Sequence, residues 1–151
     1  MLHQKIAEDL KTAMKSGQEF ETGVLRMLSA VFHNKAIEKK GKGQEPVLSD
    51  DEAIEILAKE AKKRKEAAGI YQKGGRNDLA EKEIKEAEII KKYLPEQLSG
   101  REIEKIVEAA IEKTGARDIK DFGKAMAEAM KELRGRADAS AVSEAVKNKL
   151  K

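Results

Sequence analysis

The proline at position 95 limits what this chain can fold into more than any other residue. The sequence has only two prolines in 151 residues, and Pro95 falls between two stretches that otherwise read as helix. Its ring clashes with the preceding turn and it has no N–H to donate, so no helix can run through it unbroken. Four residues later, Ser99-Gly100-Arg101-Glu102 spells a capping box. It stands ahead of the apolar set Ile103, Ile106, Val107, Ala110 and Ile111, which marks a fresh helix start. Tyr93-Leu94-Pro95-Glu96-Gln97-Leu98-Ser99 is therefore expected to be a joint between two helical bodies, 1–94 and 95–151.

Composition sets the fold class on both sides of that joint. With 40% hydrophobic, 39% charged and 3% aromatic residues, rich in Ala, Glu, Lys, Leu and Ile, the chain favours helices and gives little to a sheet. The expectation is all-α: an N-terminal helical domain holding a long antiparallel hairpin, then a small three-helix domain. There is no cysteine, which excludes disulfides, thiolate metal sites and cysteine nucleophiles and fits a reducing cytoplasm. No apolar run is long enough to span a bilayer, and Met1-Leu2-His3-Gln4-Lys5 lacks the apolar core of a signal peptide. A cytoplasmic protein without membrane contact is the expectation. A net charge of +3 permits contact with nucleic acid without demanding it.

Periodicity places the elements. Leu2, Ile6, Leu10 and Met14 line one side of a first helix, which Ser16-Gly17 can end. A second helix over about 19–40 turns Val24, Leu25, Leu28, Val31 and Phe32 inward and stops at Gly41-Lys42-Gly43. Ser49-Asp50-Asp51-Glu52 is another capping box, opening a third helix that runs to about Gln72. After Gly74-Gly75, Asn77 is placed to cap a fourth helix ending at Tyr93. Beyond the joint, one helix ends near Lys113-Thr114-Gly115. The next carries the stripe Phe122, Met126, Met130 and Leu133, and Asp138 caps a last helix with Val142, Ala145, Val146 and Leu150.

The third and fourth helices hold the most informative pattern. Ile54, Leu57, Ala61, Arg64, Ala68 and Tyr71 are spaced alternately three and four, and Leu79, Glu83, Glu86, Ile90 and Tyr93 keep the same rhythm. Folding the hairpin about Gly75 sets Arg64 opposite Glu86, with Glu83 a turn away. Two readings fit: a partly buried ion pair that fixes register, or a polar pocket for an anionic ligand. Charged seam positions more often specify pairing.

Enzyme signatures are lacking. His3 and His33 stand far apart in no metal-binding pair, so no metal is expected. Neither glycine cluster has phosphate-loop or dinucleotide spacing, and no catalytic residue or cofactor can be assigned. At this density of charge, paired acids read as solvated faces and i,i+4 bridges, such as Glu60 with Arg64. Basic clusters say more. Lys62, Lys63 and the turn residue Arg76 form one group; Lys124, Lys131, Arg134 and Arg136 form another, about the Gly135 turn. Clustered Lys and Arg suit phosphate, although a charge run is commonly just a solvated face. Scarce aromatics argue against base stacking, so an RNA partner would be recognised by backbone and shape.

Gly75-Arg76-Asn77-Asp78-Leu79 followed by Tyr93-Leu94-Pro95-Glu96-Gln97-Leu98 resembles the signature of the GatB/YqeY family, in its short stand-alone form. Leu25-Arg26-Met27-Leu28 and Lys63-Arg64 with Tyr71 match as well. Gly123-Lys124-Ala125-Met126, Gly135-Arg136-Ala137-Asp138 and Val142 are similar to the tail of the GatB component of glutamine-dependent tRNA amidotransferases. The resemblance implies a helical tail-like module that contacts tRNA or tRNA-processing complexes but lacks the catalytic body. A label of carbon–nitrogen ligase with glutamine as amide donor would then be inherited through the shared tail. Three roles follow as expectations: a non-catalytic tRNA-binding module, an amidotransferase accessory working with partner subunits, or a protein-interaction bundle. No small-molecule substrate is indicated.

Overall fold

The computed structural model describes residues 1–150. Among them the chain forms seven α-helices and no strand. It divides into two compact units, Met1–Leu94 and Pro95–Lys151.

The first unit comprises α1 (Leu2–Lys15), α2 (Glu19–Gly41), α3 (Asp50–Lys73) and α4 (Asn77–Lys91). α1 lies on α2, and α3 makes its most extensive contact with α4. Ile6, Leu25, Leu28, Leu57 and Ile90 are fully buried at the centre. The box at Ser49 forms as its sequence dictates: the hydroxyl accepts from the Glu52 N–H, and the Glu52 carboxylate accepts from the Ser49 N–H. Lys39 of α2 then donates to both Glu52 oxygens, at 2.9 and 2.8 Å, tying the start of α3 to the end of α2.

Two local expectations fail for geometric reasons. Met14 stays 53% exposed while Ala13 is buried. Residues four apart drift about 40° around a helix at each step. Three such steps carry Met14 off the face that Leu2 began, and Ala13 takes its place. Asn77 is not a cap but the first residue of α4; Arg76 holds the cap position and its side chain makes no capping bond. Gly75, at φ 73°, closes the turn so tightly that only Arg76 separates it from the helix.

The second unit comprises α5 (Gly100–Thr114), a 3-10 turn (Ile119–Asp121), α6 (Phe122–Leu133) and α7 (Ala139–Lys149). Ser99 and Glu102 form the expected capping box, and Asp138 accepts from the Ser140 N–H to start α7. α5 ends on Gly115 in the left-handed region, which costs glycine little. Val107, Leu133, Val142 and Val146 are fully buried. On α6 the fully buried residues are Ala125, Ala129 and Leu133, with Phe122, Met126 and Met130 half-buried beside them. The small alanines allow close approach of α5, so the large side chains are displaced to the flanks of the contact. No helix among the described residues is long and apolar enough to cross a membrane.

Candidate nucleic-acid interface

The candidate surface is built on the turn between α6 and α7. Leu133 anchors it in the core, and Gly135 (φ 73°) is buried beneath it. The stretch after Pro95 clamps this turn: the Gln97 side-chain amide donates to the Gly135 carbonyl, and the Leu98 N–H donates to the Arg136 carbonyl at 2.9 Å. The Arg136 N–H in turn donates to the Leu133 carbonyl at 2.9 Å. A short surface loop is thus held at both central carbonyls, with exposed Arg134 and half-buried Arg136 on either side of it.

Neighbouring charges set its strength. Lys131 donates to one Glu128 oxygen and Lys113 of α5 reaches the other, each at 2.7 Å. These bonds hold the Glu128 carboxyl below its ordinary range, Lys113 contributing most. Hydrogen bonds from Ser99 hold Glu102 down as well, with Arg136 adding its charge. Lys113 and Lys131 thus act on Glu128, Glu132 on Lys113, and Arg136 on Glu102, so cations and acids are interleaved over this surface. No sequence pattern singles out Lys113. It sits in the last turn of another helix, and only the packing of α5 on α6 joins it to Lys131.

The other candidate cations do not all gather here. Lys124 lies at the opposite end of α6, about 15 Å from the turn by helix rise, with its charge acting on Asp121. Lys62, Lys63 and Arg76 belong to the first unit. Helix rise alone carries Lys63 about 15 Å from the end of α3, beyond which Arg76 lies. Arg76 sits 3.4 Å from the Asp78 carboxylate. Lys63 donates to Glu60 at 2.9 Å, so it is engaged within its own helix.

Glu60 itself departs from the solvated-face reading. It is 7% exposed, on the part of α3 where Arg64 meets Met27 of α2 and Glu86 of α4. Arg64 Nη1 donates to Glu60 Oε2 at 2.6 Å, Nη2 lies 3.4 Å from the Met27 sulfur, and Nε is 3.3 Å from Glu86 Oε2. The Nε contact is an ion pair without hydrogen-bond geometry. Glu83 is half-buried and makes no ion pair with Arg64 among the described residues; the second acid on this guanidinium is Glu60. With two carboxylates already around it, Arg64 has little left to offer an anionic ligand.

The family model described as Yqey-like protein matches residues 3–150. An uncharacterized protein of Schizosaccharomyces pombe is 34% identical over 98 residues, covering 65% of this chain and 76% of its own. A protein of Clavispora lusitaniae called altered inheritance of mitochondria protein 41, mitochondrial, is 37% identical over 86 residues, 57% of this chain and 47% of its own. The protein of the same name from Lachancea thermotolerans is 33% identical over 89 residues, 59% of this chain and 46% of its own. The matches to these two mitochondrial proteins thus span somewhat less than half of their length. The match to the family model takes in nearly the whole sequence, and the chain belongs to the Yqey-like protein family.

Proposed function

We propose that this chain is a non-catalytic tRNA-binding module that meets the RNA backbone through the Gly135 turn. The observation that carries this reading is the clamped loop itself: Gln97 and Leu98 hold the Gly135 and Arg136 carbonyls, and arginines flank the glycine on both sides. A fixed loop with arginine forks suits phosphate, because guanidinium pairs bidentately with its oxygens. The nearby acids do not forbid this. The Lys113 and Lys131 ammoniums are exposed while the Glu128 side chain between them is 16% exposed, so one lysine can turn to phosphate while the other keeps Glu128 paired. The similarity of Gly123–Val142 to the GatB tail of the amidotransferases supports tRNA as the RNA class.

Filter binding with total tRNA tests the reading. Retention is expected at low salt, falling steeply as salt rises, since each phosphate contact releases counterions. Arg134→Glu with Arg136→Glu should weaken binding about equally for all tRNA sequences. No retention at low salt, or full retention by the doubly reversed chain, refutes it. Accessory action in transamidation is the second reading, favoured by the same tail similarity. It requires that adding the chain to an amidotransferase reaction change the yield of amidated tRNA.

A further inference from the structure

The first unit contains a cleft of about 310 Å³ between α1, the α1–α2 turn and the end of α4, distant in sequence from the basic turn. At its wall the Tyr93 hydroxyl donates to Asp9 Oδ2 at 2.6 Å, and Lys5 Nζ donates to the same oxygen at 3.2 Å. The Lys5 ammonium also lies 5.8 Å from the centre of the Tyr93 ring. Burial, followed by the bond to Asp9, raises the Tyr93 phenol well above its usual range, so it remains a neutral donor. Asp9 is held below its usual range, chiefly by that phenol.

What is left open in the cleft is mostly acceptor. Asp9 Oδ1 is unused, and the Glu21 carboxylate makes no hydrogen bond or ion pair with another described residue although its charge acts on Tyr93. The Thr12 hydroxyl donates its hydrogen bond to the Glu8 carbonyl, which leaves its lone pairs open. Gln18 offers an amide oxygen. Against these stand the Gln18 amide N–H groups and Lys92. Of the two lysines lining the cleft, Lys5 is the one bonded to Asp9; it is 62% exposed and on a flexible stem, hence readily displaced.

We propose that this cleft binds a cationic hydrogen-bond donor, an alkylammonium or guanidinium group, between Asp9 and Glu21 against the Tyr93 ring. Lys5 occupies the position that such a group would take. An incoming guanidinium has several N–H donors for the open carboxylate oxygens and a planar cation for the aromatic face. The cleft is at the small end of ligand pockets, which fits a single cationic group, free or carried on a peptide.

Tyr71 and Tyr93 are the chain's two tyrosines and there is no tryptophan, so Tyr71→Phe leaves Tyr93 as the sole fluorescent reporter. Ring NMR of the unsubstituted chain gives the same readout. Agmatine and the peptide Gly-Arg-Gly serve as probes at low salt. A saturable change with either, at millimolar concentration, is expected. Agmatine alone assigns the site to a free cation, and the peptide alone to a partner's side chain. Glu21→Gln should weaken binding about tenfold, and Lys5→Ala should tighten it several-fold by vacating the position. A purely structural role for Lys5 predicts no tightening. No saturable change with either probe, or an unchanged affinity in Glu21→Gln with native circular dichroism, overturns the proposal.

Discussion

Removing Arg64 tests the packing of the α3–α4 hairpin most directly. Arg64→Ala leaves Glu60, 7% exposed, and Glu86, whose side chain is 19% exposed, without the cation between them. Breaking a buried pair by deleting one partner costs about 3–5 kcal/mol. Two features lower that figure here: Lys63 still donates to Glu60 at 2.9 Å, and Glu86 keeps some contact with water. The expected loss is about 2–3 kcal/mol. The same geometry ranks the acids. Glu60→Gln removes a 2.6 Å charge-assisted bond in a buried place, whereas Glu86→Gln removes a 3.3 Å contact without hydrogen-bond geometry, so the first should cost more. Arg64→Met with Glu60→Leu and Glu86→Leu should recover much of the stability, since apolar residues often replace buried charges without loss. Urea unfolding followed by tyrosine emission reads this unit alone, because both tyrosines lie within Met1–Leu94. A loss below about 1 kcal/mol for Arg64→Ala, the size of an exposed pair, would refute the reasoning. So would a larger effect from Glu86→Gln than from Glu60→Gln.

The remaining predictions concern the caps. Hydrogen bonds from Lys39, then from the Ser49 N–H, bring the Glu52 carboxyl from its ordinary 4.5 to about 2. A pKa depressed by folding contributes stability above pH 4.5 that is lost as pH falls through about 2, so the thermal midpoint of the tyrosine signal should drop across that window. Glu52→Gln should make the drop shallower, and an unchanged slope counts against the Lys39–Glu52 tie. In the second unit, Gly115 has φ 68° and open space where a Cβ would stand. Gly115→Ala should therefore cost about 1–2 kcal/mol from backbone alone in calorimetry, and a neutral result would contradict the left-handed end of α5.

Local chemistry made parts of this structure legible in advance. Ser49, Ser99 and Asp138 each act on an N–H two or three residues away, so their capping roles needed no knowledge of the fold. Counting outward from Gly75 set Arg64 opposite Glu86, because a short turn leaves two helices little choice of register. What the sequence hid was carried by contacts between distant segments. Glu60 looked like one more surface acid, yet it is 7% exposed and bonded to Arg64. Tyr93 meets Asp9 across 84 residues, and Gln97 meets Gly135 across 38. Nor does any spacing reveal that Lys113 and Lys131 share Glu128, since they come from separate helices. Which cations face solvent and which face an acid is a property of packing.

That division bears on how such a mildly basic chain would hold RNA under the function proposed above. With a net charge of +3, most lysines and arginines have an acid to neutralise them, and no large positive field can draw in a polyanion. Under the function proposed above, such a surface would bind by exchange, one of the exposed Lys113 and Lys131 ammoniums turning to phosphate while the other keeps Glu128 paired. Exchange works only where the loop is already fixed, because ordering it at the moment of contact would consume the small gain available. The bonds from Gln97 and Leu98 supply that fixation, and they come from the stretch that follows the chain-breaking proline. In that proposal the proline would matter through what it frees. By keeping the helix from running on it leaves Gln97 and Leu98 in a non-helical segment, where an amide side chain and a backbone N–H turn toward Gly135 and Arg136 instead of being used within a helical ladder.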